Sequence, residues 1–145
     1  MSAKTNGTIQ VRSSWQLTGG LTYQSQPTTF TVAQLLAIGP TPGALLASIH
    51  GTQVSLAQLT TPGLCLFANV DQSNYYQYGP YDPVADKFYT FGVVYPGQVW
   101  GMYLDPYFGR AEGTSPGTSP SESGIQLWLK AIGGPCQAIV SCFNA

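Results

Sequence analysis

The sequence predicts an all-β protein, a compact antiparallel β-sandwich or jelly roll with one long mobile loop. Three observations support that class. Ile9, Val11, Ser13, Trp15 and Leu17 alternate with Thr8, Gln10, Arg12, Ser14 and Gln16, the period-two pattern of a half-buried strand. Further short apolar segments follow, separated by turn-forming residues. No amphipathic helix is evident, and only TVAQLLAI, Thr31–Ile38, has room for a helical turn. With 145 residues the chain can bury one core but not two, so residues 1–145 are read as a single β-sandwich domain.

After the first strand, candidate strands are Thr28–Val32, Ala44–His50, Leu64–Val70, Tyr75–Tyr78, Phe88–Tyr95, Val99–Leu104, Ile125–Ile132 and Gln137–Phe143. Gly19-Gly20, Thr61-Pro62-Gly63, Asp82-Pro83, Pro96-Gly97 and Gly133-Gly134 mark turns between them. Asn69, Asp71 and Asn74 carry short side chains that satisfy nearby backbone groups, which reads as a tight hairpin. Pro96-Gly97 turns a second hairpin, between Val93-Val94-Tyr95 and Val99-Trp100. Gly109–Gly124, GRAEGTSPGTSPSESG, has no large apolar residue to offset the entropy of ordering, so it is expected to be an exposed mobile loop.

Charge is scarce: 8% of residues are Asp, Glu, Lys or Arg, against about a quarter in ordinary globular chains. A surface so poor in charge and rich in aromatics suits a protein largely covered by partners. Lys4, Arg12, Lys87, Arg110 and Lys130 are scattered singly, so no positive stripe exists for nucleic acid. No secretion signal or apolar run of membrane-spanning length is visible, and no membrane partner is expected. Cys65, Cys136 and Cys142 read as buried thiols, although Cys136 and Cys142 can close a small loop if the compartment is oxidising.

The stretch Pro62–Pro106 holds seven of the nine tyrosines. Tyr75, Tyr76, Tyr78 and Tyr81, together with Trp100 and Tyr107, are the candidate partner-binding residues, because aromatic rings on a β-surface anchor interfaces. With Asp71, Asn74, Gln77 and Asp82 beside them, the same tyrosines also suit a carbohydrate-binding module. Filling the sandwich core is the third use such rings have.

Little here suggests an enzyme. His50 is the one histidine, no serine sits in a G-x-S-x-G elbow, and the six carboxylates fall mostly in turns or in the predicted loop. Neither a phosphate-cradling loop nor a dinucleotide fingerprint is present, so no cofactor is expected. The acidic turn lacks calcium-loop spacing, and His50 with the cysteines lacks zinc spacing, so no metal is expected.

The segment TTPGLCLFANVDQSNYYQYG, then an aromatic strand, then YPGQVW resembles small virion proteins of tailed bacteriophages. The shared pattern is T-P-G, an apolar strand, N-x-D-x-x-N-aromatic, a glycine, and L-x-P-G-E before another apolar strand. It covers Thr60 to about Leu104, with a weaker echo from Ile125. Pro62 and Gly63 match the first turn, Asn69, Asp71 and Asn74 the central one, Gly79 the following glycine, and Pro96 and Gly97 the second turn. Gln98 replaces an acidic residue, and the GTSPGTSPSESG loop and PCQAIVSCFNA terminus depart from the pattern.

The resemblance implies a compact β-domain acting as a non-enzymatic structural protein of the virion, assembled in the host cytoplasm. A capsid decoration or cement subunit, homo-oligomeric and bound to the major capsid protein or other virion proteins, is the leading expectation. A neck, tail or fibre component is the alternative within the class.

Overall fold

The computed structural model describes residues 4–35, 41–59, 62–105, 108–109 and 124–144, and among these there is no helix. The predicted antiparallel β-sandwich is correct. One sheet contains β1 (Lys4–Val11), β4 (Thr28–Leu35), β5 (Thr41–Ala47), β7 (Pro62–Asn69), β11 (Val99–Tyr103) and β13 (Cys136–Asn144). The other contains β6 (Thr52–Val54), β8 (Tyr75–Asp82), β9 (Lys87–Phe88), β10 (Gly92–Val94) and β12 (Gln126–Ile132). β2 (Ser14–Gln16) and β3 (Thr22–Gln24) form a separate ribbon.

β13 is the axis of the first sheet. β7 flanks one side of it, with β11 beyond; β5 flanks the other side along Cys136–Cys142, and β4 meets it at Asn144. In the second sheet the order is β10, β8, β12, β6, with β9 also on β8. The period-two pattern of β13 sends Cys136, Ala138, Val140 and Cys142 inward, where all are buried, and leaves Gln137 and Ile139 outside. β12 answers with Leu127, Leu129 and Ala131. Between the sheets Phe67 stacks on Tyr78 with centroids 4.5 Å apart, and the Tyr76 hydroxyl donates to the Ala68 carbonyl at 3.0 Å. Each fully buried side chain of this size contributes about 1.5–3 kcal/mol.

Several strands differ from the sequence expectation. β8 runs through Gly79-Pro80 to Asp82, because Gly79 makes a close approach inside the sheet rather than a turn. Phe88–Tyr95 divides into β9 and β10: the pairing moves from Tyr81↔Phe88 to Tyr78↔Gly92, which inserts one extra residue as a bulge. Ala44–His50 stops at Ala47, and His50 lies in an exposed turn. Thr31–Leu35 is strand, not a helical turn, while Leu36–Ile38 lie outside the described residues. β3 and β6 are too short to leave a pattern.

The half-buried strand expected from Ile9 to Leu17 is one limb of a hairpin arm exposed at nearly all positions whose burial is described. β1 pairs with β4 from Lys4↔Leu35 to Val11↔Thr28, and β2 with β3 from Ser14↔Gln24 to Gln16↔Thr22. Arg12 and Ser13 face the three residues Ser25–Pro27, so the ribbon is bulged there. Alternation reveals two unlike faces but not whether anything covers either one.

The cysteines are all buried. Cys136 and Cys142 lie on one strand with two inward positions between them, which excludes the small C-terminal loop. Cys142 instead lies opposite Cys65, with the sulfurs 2.9 Å apart. The Val70 amide donates to the Gln137 carbonyl, so by alternation Cys65 and Cys142 form a non-hydrogen-bonded pair, the closer-spaced type. Refolding in a glutathione redox buffer is therefore expected to join Cys65 to Cys142, read by mass spectrometry as the loss of two hydrogens and one linked peptide pair. A link through Cys136 would contradict this geometry.

Candidate functional site

One end of the sandwich is tied by Asn69. Of the connections that pass between sheets at this end, three meet at Asn69: β7 to β8, β10 to β11, and β12 to β13. The buried Asn69 Nδ2 donates to the Asn74 carbonyl at 3.0 Å and the Val94 carbonyl at 2.9 Å, and its Oδ1 accepts the Asp71 amide at 2.9 Å. Its backbone amide donates to the Gln98 carbonyl, and its carbonyl accepts the Gly97 amide. Asn74 Nδ2 donates to the Pro135 carbonyl at 3.1 Å, joining the third turn. Neither the N-x-D-x-x-N turn nor Pro96-Gly97 closes the hairpin expected from the sequence, because β7 and β8, like β10 and β11, lie in different sheets; the N-x-D-x-x-N segment instead binds these three crossings together.

Asp71 completes this tie. The Asn74 amide first, then those of Ser73 and Gln137, hold its carboxyl below the ordinary value of 3.8. A carboxyl depressed on folding stabilises the protein above its ordinary value, and that stabilisation is lost as pH falls through the folded value. Asp71→Asn is expected to flatten the acid limb of stability below about pH 4, measured by urea midpoints between about pH 6 and pH 2.

The aromatic candidates do not converge. Tyr76 is fully buried and Tyr78 packs against the core, so both fill the sandwich rather than face a partner. Tyr75 sits by Tyr95, with ring centroids 5.0 Å apart. Tyr81 lies on the outer face of the second sheet, stacked on Trp128 at 3.9 Å, and its hydroxyl donates to the Asp86 carboxylate. That hydrogen bond holds the Tyr81 phenol above its ordinary range. Trp100 is half exposed on β11, with Nε1 donating to Gln98 Oε1 at 3.1 Å. Tyr107 lies outside the described residues, as does the predicted mobile loop between its end glycines, Gly109 and Gly124.

What the tyrosines do not form, the outer face of the first sheet does. Its register places Leu46 beside Gln137, Ile139 beside Ala68, and Val99 and Tyr103 on the same side. Leu46 is 61% exposed and Val99 60%. Where the arm bulges, Val11, Arg12 and Ser13 line a cleft of about 410 Å³ with Leu64, Leu66 and all of β11 from Val99 to Tyr103. The sequence carried a sign of this face: LCLF in β7 is apolar at consecutive positions, which marks a strand apolar on both sides.

Among the described residues no group of three or more His, Cys, Asp or Glu is placed to hold a metal ion. No protein-family model, curated protein or solved structure matches this chain.

Proposed function

We propose that this chain is a non-enzymatic structural protein of a bacteriophage particle, a cement or decoration subunit that binds the major capsid protein across capsomer junctions. The observation that supports the reading is the apolar outer face of the first sheet, open to solvent in a chain with so little charge. Burial of that face against assembled subunits stabilises the assembled state over the separated one by mass action. The hairpin arm supplies a second reaching element, with Leu17 and Leu21 exposed around its tip. The test is quantitative mass spectrometry of purified particles. Copy numbers comparable with the shell protein support decoration, a few copies per particle move the chain to neck, tail or fibre, and none overturns the virion reading.

A second reading rests on the Tyr81–Trp128 stack, beside which Gln126 Oε1 accepts from Trp128 Nε1 at 2.7 Å. Stacked rings with an amide at their margin also suit a carbohydrate-binding module. A glycan array decides: binding lost in both Tyr81→Ala and Trp128→Ala supports it, and a blank array removes it.

A further inference from the structure

We infer that β11 is a self-complementary edge through which two copies of this chain pair, antiparallel, across Gly101. The inference stands on this edge and not on the virion reading.

Among the described residues β11 borders β7 alone. Leu104 donates its amide to the Gly63 carbonyl, and at the other end the Asn69 amide donates to the Gln98 carbonyl. Antiparallel ladders alternate, so Trp100 and Met102 also bond towards β7, while Val99 and Gly101 point their N–H and C=O groups away from it. An edge of this kind is a template for another strand unless something blocks it.

Several other edges are interrupted or short: β5 carries Pro42 and Gly43 with φ 88°, and β6 and β10 have three residues each. β11 reads VWGMY, with no charge, no proline and no bulge in its pairing, and the arm residues Val11, Arg12 and Ser13 line a cleft beside it without pairing to it. Natural proteins rarely leave such an edge unguarded.

The sequence of β11 also selects the occupant. Centred on Gly101, an antiparallel pair places Gly101 opposite its symmetry mate, so their outward groups exchange two hydrogen bonds and no side chain stands between the backbones. Val99 then lies opposite Tyr103 of the second copy on the outer face, and Trp100 opposite Met102 on the inner side. Three of these side chains are large and solvent-facing in the single chain: Val99, Trp100 and Tyr103. Aromatic–β-branched and aromatic–methionine neighbours are favourable cross-strand pairs. The two-fold axis stands perpendicular to the sheet, so both outer apolar faces emerge on one side as a continuous surface. A contact made by one five-residue strand from each copy falls at the small end of specific interfaces, so a concentration-dependent dimer is expected.

The test combines sedimentation with amide hydrogen exchange at low and high protein concentration. Dimer formation is expected to slow exchange of the Gly101 and Val99 amides about tenfold or more, while Trp100 and Met102 stay protected at both concentrations. Val99→Lys, at a solvent-facing position, is expected to keep the fold by circular dichroism and weaken the dimer about tenfold or more, and Val99→Thr to retain it. A monomer at all concentrations, a dimer whose Gly101 amide exchanges unchanged, or a Val99→Lys protein that pairs like the parent overturns the proposal. Failure here leaves the particle copy number untouched, and absence from particles leaves the dimer untouched.

Discussion

Asn69→Asp is expected to destabilise the protein by about 3–4 kcal/mol, although it barely changes shape. The substitution exchanges the Nδ2 donor for an oxygen that faces the Asn74 and Val94 carbonyls. At least one buried acceptor then loses its partner, and both do once the carboxyl ionises, each at a cost of about 1–3 kcal/mol. The new carboxyl also has to stay neutral beside those carbonyls, so its folded pKa rises and the loss grows as pH increases. Asn69→Ala removes the same donor without the repulsion and is expected to cost somewhat less, with no added pH dependence. Urea denaturation at about pH 4 and pH 7 checks both, and a melting temperature lowered by about 10 °C is the thermal counterpart. An Asp variant within about 1 kcal/mol of the parent at neutral pH would show that Asn69 does not hold the three connections together.

Gly79→Ala is expected to be comparably severe for a different reason. A methyl group at Gly79 would overlap the Tyr89 carbonyl oxygen and lie 2.9 Å from the Phe91 amide nitrogen. Both are backbone atoms of the bulge between β9 and β10, held there by Tyr89 and Phe91 amides donating to Pro80 and Tyr78 at 2.9 Å. Overpacking that a side chain relieves by changing rotamer cannot be relieved here, so the cost is about 3 kcal/mol, the top of the usual range. Gly97→Ala is the comparison. Gly97 has open space around it, but its φ of 79° is left-handed, so alanine there costs about 1 kcal/mol. Chemical denaturation of the two variants separates crowding from backbone conformation, and equal losses would contradict this account.

Both residues stood out in the sequence, and both were read as parts of turns. Asn69 does border one, but its reach to Val94 depends on the β10–β11 turn folding back to the same end of the sandwich. Gly79 has no positive φ to mark it. The need for glycine comes from a bulge on a neighbouring strand, which no local pattern announces.

The short apolar segments and the Gly and Pro residues that punctuate them were enough to specify an antiparallel sandwich, because strand pattern and turn chemistry are local properties. Which strands became neighbours was not legible, since pairing joins residues as distant as Cys65 and Cys142. Only that pairing decided which tyrosines disappeared into the core, left the alternating arm uncovered, and gathered Leu46, Ile139, Val99 and Tyr103 on one face. A side chain's face follows from its own strand, whereas its exposure follows from what the rest of the chain places over it.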